Sequence, residues 1–101
     1  MIDIDAKYMD TVKRILNTRV AECEVWVFGS RVTGGARKYS DLDIALIGAE
    51  KIDIQRLEAL RDDFAESALP FMVDVLDWHD ISDSFRQVIS KKGNWVRLTL
   101  K

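Results

Sequence analysis

Hydrophobic residues recur along this chain with two different periods, a helical one and an alternating one, and these predict helices and strands in turn. The predicted helices span residues 5–20, 52–67 and 81–89, and the predicted strands span residues 25–28, 41–47, 71–76 and 95–100. Interleaving of both kinds of element predicts an α/β (α+β) fold, in which helices pack on a small mixed β-sheet.

Residues that favour turns separate these elements. The segment 29–40 is rich in them and has two adjacent glycines at its centre. Pro70 prevents the preceding helix from continuing, because proline lacks the amide hydrogen and clashes with the helical backbone. Either Asp80 or Ser82 is expected to cap the last helix, since both side chains accept hydrogen bonds from the free amides of a first turn.

The composition is that of a folded protein: among 101 residues, 48% are hydrophobic, 32% are charged and only 1 is proline. This length predicts a single domain over residues 1–101. No apolar run approaches the ~20 residues of a membrane span, and the acidic start from Met1 to Asp5 differs from a secretory signal. The lone Cys23 excludes a disulfide framework and a cysteine-based zinc cluster. We therefore expect a cytoplasmic protein.

The charge of the chain argues against direct binding to nucleic acid. Its formal net charge is −2, whereas proteins that bind through phosphate contacts usually carry a basic excess. The cations Arg31, Arg37 and Lys38 nevertheless lie together, without an intervening acid, directly before Asp41 and Asp43. A cationic loop beside paired carboxylates favours a small polyphosphate chelated to a metal ion.

The glycine-containing turn after the first predicted strand does not match the common phosphate-binding loops. Gly29 and Gly34 have the separation of Walker A glycines, but Gly35 and Ala36 stand where that motif requires Lys and Ser or Thr. The dinucleotide-binding pattern of three glycines is absent as well. Gly29 still permits close backbone approach, and Ser30 adds a hydroxyl at a helix start. Taken alone, this pair is better explained by a tight turn with a helix cap.

Three aspartates are the candidate metal ligands. Asp41 and Asp43 lie on one face of their predicted strand, about 6.5–7 Å apart at Cα, so both side chains can reach one divalent cation or two neighbouring ones. A solvated strand face is the alternative, but Asp43 lies in an apolar run where an unpaired charge is costly. Asp74 interrupts the next predicted strand in the same way. We favour it over Asp77, which points to the opposite face and suits a turn or cap.

The order of these groups resembles the signature of the nucleotidyltransferase superfamily that includes polymerase β and kanamycin nucleotidyltransferase. Gly29-Ser30, ten further residues and Asp41-Leu42-Asp43 are followed by a lone aspartate on a later strand. The segments 28–31, 39–43 and 73–78 resemble the minimal nucleotidyltransferases, small proteins typically encoded beside a helical HEPN partner. The resemblance implies a polymerase β-like fold and Mg²⁺-dependent transfer of AMP from ATP to a tyrosine of a HEPN-type toxin, with this chain as antitoxin.

The site that the resemblance implies comprises Gly29, Ser30, Arg31, Lys38, Asp41, Asp43 and Asp74. The three aspartates would hold two Mg²⁺ ions, and Asp74 would also activate the acceptor hydroxyl. The Gly-Ser pair would hold the β- and γ-phosphates of the nucleotide. Arg31 and Lys38 are expected either to contact the triphosphate or to be solvated surface residues.

The short segment after the last candidate carboxylate leads us to expect a partner. Only 24 residues follow Asp77, whereas larger enzymes of the superfamily carry an additional domain that positions the acceptor. A second copy of the chain or a HEPN-type helical protein would supply the missing wall. Two alternatives remain open: a small-molecule acceptor of the aminoglycoside type, and a non-catalytic nucleotide-binding module that neutralises its partner by steric masking.

Overall fold

A computed structural model describes residues 2–100. Its sheet comprises β1 (Glu24–Phe28), β2 (Leu42–Ile47), β3 (Val73–Asp77) and β4 (Trp95–Leu98), in the spatial order β3-β2-β1-β4. β1 is antiparallel to both β2 and β4, and β3 is parallel to β2. The predicted mixed sheet is therefore confirmed, with each strand end within two residues of its predicted position.

The helices are α1 (Ala6–Val20), α2 (Ser30–Thr33), α3 (Ile54–Ala65) and α4 (Asp83–Ser90). The three predicted from periodicity are confirmed within two residues at each end. A single 3₁₀ turn at Trp78–Asp80 follows β3 and was not predicted. None of the helices in the described part of the chain has the length and apolar character needed to cross a membrane.

Ser82, rather than Asp80, caps α4. The Ser82 hydroxyl accepts a hydrogen bond from the amide of Phe85 at 3.2 Å. Asp80 lies within the 3₁₀ turn, where its carboxylate forms an ion pair with Lys51 at 3.1 Å. The 3₁₀ turn, which the sequence pattern did not reveal, thus excludes Asp80 as the cap of α4.

The two faces of the sheet are covered unequally. Alternate strand residues form the main core with the buried faces of α1 and α3, a cluster that includes Val12, Leu16, Val25, Val27, Leu42, Ile44, Leu46, Leu57, Leu60 and Val75. The residues between them point to the opposite face. There Trp26 stacks on Trp95, with ring centroids 3.7 Å apart, and Phe85 of α4 meets Phe28 edge-on at 6.2 Å. This second face carries the candidate site.

Candidate active site

The strand register brings two of the candidate carboxylates side by side. Asp43 of β2 is paired with Phe28 of β1 on one side and with Asp74 of β3 on the other. Residues in register on adjacent strands point to the same face and lie about 5 Å apart. Asp41 precedes β2 at the same end of the sheet. The three predicted metal ligands therefore lie at one end of the sheet, two of them on adjacent strands and one directly before a strand.

The electrostatics of Asp43 reflect this arrangement. Burial, together with the negative charges of Asp74 and Asp41, raises the pKa of the Asp43 carboxyl from 3.8 to about 6. None of the ion pairs formed among residues 2–100 includes any of these three aspartates. The site therefore concentrates negative charge without a compensating protein cation, which favours binding of a positive ligand.

The turn after β1 lies directly against Asp43. Gly29 has φ of 81°, a conformation that side-chain-bearing residues rarely adopt, and a Cβ built on it would lie 2.1 Å from Asp43 Oδ2. Glycine is therefore required twice over, by backbone conformation and by space. Immediately after it, Ser30 begins α2, and the first amides of a helix have no acceptor within the helix. The Gly-Ser turn and the carboxylates thus form one continuous surface.

The chemistry of this set fits a hard divalent cation. Aspartate oxygens are the ligands that Mg²⁺ prefers, and this ion usually keeps several waters and substrate oxygens in its shell. Among residues 2–100, no three metal-binding side chains are grouped tightly enough to chelate an ion. The three aspartates by themselves therefore do not form a closed cation site.

Asp77 has the structural position predicted for it. It points away from Asp74, to the opposite face of β3, and only 3% of its surface is exposed. Its carboxylate accepts hydrogen bonds from the amide of Ile52 at 2.8 Å and from the amide of His79 at 3.1 Å. Asp77 therefore caps the 3₁₀ turn and joins it to the segment before α3.

Arg31 departs from one of the two roles expected for it. It is not a solvated cation, because only 6% of its surface is exposed. Its guanidinium donates to the carbonyls of Ser40, Lys38 and Asp3 at 2.8–3.2 Å and lies over the Phe71 ring at 4.4 Å. With its donors used by backbone carbonyls, Arg31 holds the loop after α2 in place, and its geometry gives no support to a triphosphate contact.

Lys38 differs from Arg31 in being exposed. Its ammonium group lies over the ring of Tyr39, 5.4 Å from the centroid, in the loop that leads to Asp41. Nothing in this arrangement ties the Lys38 side chain to the protein interior. Its contact with the triphosphate stays a prediction.

A cleft beside the carboxylates was not found from the sequence. It has a volume of about 710 Å³, and Asp41 and Asp74 line it together with Tyr39 and Met72. Tyr39 and Met72 are 64% and 75% exposed, so most of each side chain is open to solvent. They lie far apart in sequence, and only the pairing of β2 with β3 brings their segments together.

The polymerase beta nucleotidyltransferase family matches residues 10–97, nearly the whole chain. The fold and the enzyme class implied by the sequence resemblance are therefore confirmed: this chain belongs to the polymerase β nucleotidyltransferase family. The chain is also 47% identical, over 90 residues, to "Probable protein adenylyltransferase MntA" of Haemophilus influenzae, an alignment that covers 89% of this chain and 79% of that protein.

Solved structures similar to this fold include complexes of toxin–antitoxin systems. A toxin–antitoxin crystal structure with AMP-PNP superposes with a TM-score of 0.73 at 24% identity, over 88% of this chain and 70% of the other. A complex of tri-AMPylated Shewanella oneidensis HEPN toxin with MNT antitoxin gives a TM-score of 0.63 at 24% identity, over 90% and 69% of the two chains. At these identities the likeness establishes the shared fold.

Proposed function

We propose that this protein is a Mg²⁺-dependent adenylyltransferase that transfers AMP from ATP to a tyrosine hydroxyl of a HEPN-type helical partner and thereby acts as its antitoxin. The observation that carries the proposal is the register pairing of Asp43 with Asp74, with Gly29 packed against Asp43. The 47% identity to a chain named a protein adenylyltransferase supports the choice of donor and acceptor class.

Asp41, Asp43 and Asp74 would hold the metal ions. Burial and the repulsion among these carboxylates raise the pKa of Asp43. A bound dication would offset that repulsion. Bound Mg²⁺ would neutralise charge on the triphosphate and orient its α-phosphorus. Gly29 and Ser30 would hold the β- and γ-phosphates, because the backbone of this turn approaches the site without an obstructing side chain.

The proposed reaction is a substitution at phosphorus. The acceptor oxygen forms a bond to the α-phosphorus of ATP while the bond from that phosphorus to the bridging oxygen of pyrophosphate breaks. The hydroxyl proton passes to a carboxylate oxygen of Asp74 and from there to water. The products are an AMP ester of the acceptor and pyrophosphate, the group held by Gly29 and Ser30.

The test is label transfer from ATP. The protein is incubated with Mg²⁺, ATP labelled at the α-phosphate and the helical protein encoded beside it, and Asp43→Asn is compared with the unaltered chain. Asp62→Asn is the matched control, since it removes an exposed carboxylate from α3. We expect label on the neighbour with the unaltered chain and with Asp62→Asn, and at least about a hundredfold less with Asp43→Asn, because the loss of even an outer-shell partner of a metal ligand costs roughly 10–100-fold.

Other outcomes would overturn the proposal. Label transferred equally well by Asp43→Asn would exclude the carboxylate site. Growth rescue that survives Asp41→Asn and Asp43→Asn, without any label transfer, would assign steric masking instead. Label that appears on an added aminoglycoside but never on the neighbour would assign a small-molecule acceptor.

A further inference from the structure

We propose that the cleft along the outer edge of β3 is the acceptor subsite, and that Tyr39 and Met72 flank a tyrosine-bearing segment of a protein acceptor as it enters. This inference rests on the proposed function, because it locates the acceptor for that reaction. It adds a binding surface and two specificity-determining residues to the residues proposed to bind the metal ions and the phosphates.

The order of the strands sets the direction of approach. The Gly29-Ser30 turn follows β1, Asp43 lies near the start of β2 just after Asp41, and Asp74 lies on β3, the outermost strand on that side. In a displacement at phosphorus the attacking and leaving oxygens lie roughly in line. If pyrophosphate leaves over β1 and the α-phosphorus lies over β2, the acceptor must enter from the side of β3.

The cleft lies on this side. Asp41 and Asp74 line it at the candidate site, and apolar side chains of α3 and of the segment before β3 line much of the rest, namely Phe64, Leu69, Pro70 and Phe71. Tyr39 and Met72 stand exposed on its lining. A bound ring in this cleft would be in apolar surroundings, with its hydroxyl directed to the carboxylates.

The charged residues of the cleft favour an uncharged ligand over a polycationic one. The charged side chains that line the cleft are Asp41, Asp74 and Arg61. The two acids are the proposed metal ligands, and the Arg61 guanidinium already donates to the Val75 carbonyl at 2.8 Å and pairs with Glu58 at 3.1 Å. No carboxylate in this lining is left to bind a polycationic small molecule, whereas an uncharged phenol ring matches the apolar wall.

The size of the cleft agrees with a side chain presented by a protein segment. Its volume of about 710 Å³ lies within the ~300–1,000 Å³ that holds drug-sized ligands. A tyrosine ring fills only part of that space, so its neighbours along the acceptor chain also fit. The exposed Tyr39 and Met72 then gain contacts with those neighbours, as aromatic and methionine side chains do at interfaces.

The test separates acceptor binding from nucleotide binding. Met72→Glu and Tyr39→Ser are compared with Ile54→Glu, which alters an equally prominent hydrophobic residue, 62% exposed, about 15 Å along α3 from its cleft-lining end. We expect KM for the protein acceptor to rise about tenfold with Met72→Glu, the loss of about 1.4 kcal/mol of contact. The Kd for a non-hydrolysable ATP analogue should stay within about twofold, and Ile54→Glu should alter neither value.

The contradicting results are distinct from those for the proposed function. An unchanged acceptor KM in both Met72→Glu and Tyr39→Ser, with transfer intact, would overturn the acceptor subsite alone. A raised Kd for the ATP analogue with an unchanged acceptor KM would assign the cleft to the nucleotide. Failure of the unaltered chain to label any acceptor would remove the proposed function and this inference with it.

Discussion

Asp43 is an aspartate of the site whose pKa is shifted by its surroundings. Its carboxyl has a pKa of about 6 in the fold, against an ordinary value of 3.8, because burial and two neighbouring carboxylates disfavour its charge. A group whose pKa is raised by folding contributes stability below its unfolded value and loses it as pH rises through the folded value. The contribution of Asp43 to the stability of the metal-free protein therefore falls as pH rises from about 4 to above 6.

Asp43→Asn removes this penalty. Without added metal, we expect the variant to melt at a higher temperature than the unaltered protein at pH about 8 and at the same temperature at pH about 4. Thermal unfolding in the presence of a chelator measures the difference. Adding Mg²⁺ at the higher pH should stabilise the unaltered protein and leave the variant unchanged. A difference in melting temperature between the two proteins that is the same at both pH values would contradict the raised pKa of Asp43.

Gly29 is the second residue for which the structure makes a sharp prediction. Gly29→Ala puts a methyl group on a backbone with φ of 81° and 2.1 Å from Asp43 Oδ2. We expect about 1–3 kcal/mol less stability from the backbone strain and a loss of transfer because Asp43 is displaced. Gly93→Ala is the control, since Gly93 has φ of 90° but nothing within 4 Å of a built Cβ. Equal activity of both variants would contradict the contact with Asp43.

At the scale of the element, β3 assigns opposite roles to two aspartates. Asp74 and Asp77 are three residues apart, so the alternation of the strand sends them to different faces. The sequence predicted this division because it depends only on strand period. The position of Asp77 as a buried cap is confirmed, whereas the metal role of Asp74 is a proposal.

Replacing each aspartate should separate stability from chemistry. Asp77→Ala leaves the amides of Ile52 and His79 without their acceptor, which costs about 1–3 kcal/mol for each buried group. Asp74→Ala should leave the free energy of unfolding unchanged or raise it, while transfer is lost. Denaturant unfolding and label transfer on the same two variants provide the comparison. A stable Asp77→Ala protein would contradict the cap.

Other elements show where sequence patterns fall short. The strands and long helices were predictable because their apolar residues recur at fixed spacing. Arg31 was not, because a charged residue in a turn region normally faces solvent, and its burial depends on Phe71 and on the carbonyl of Asp3. The cleft escaped prediction for the same reason: it arises from contacts between segments that are distant along the chain.

For the whole molecule, the site lies at one end of the sheet and is bordered by exposed hydrophobic residues. Tyr39 and Met72 flank it toward β3, and Phe85 and Val88 are exposed on α4. Phe85 contacts Phe28, the residue before Gly29. Exposed hydrophobic side chains on both sides of a polar centre are typical of a surface that another protein covers.

We therefore expect the chain to be purified as an assembly when it is co-expressed with the helical protein encoded beside it. Light scattering coupled to size-exclusion chromatography measures the mass of the complex. Met72→Glu should weaken the assembly, whereas Ile54→Glu should not. Separate elution of the two proteins, with full transfer by a strictly monomeric chain, would contradict the need for a partner.

We propose that Asp41, Asp43 and Asp74 together hold divalent ions at the end of the sheet. Anomalous scattering from Mn²⁺ in crystals grown with a non-hydrolysable ATP analogue tests it directly. We predict two Mn²⁺ peaks beside the aspartates, with the β- and γ-phosphates at Gly29 and Ser30. Mn²⁺ bound elsewhere, or an Asp74 side chain turned away from the ions, would contradict this account.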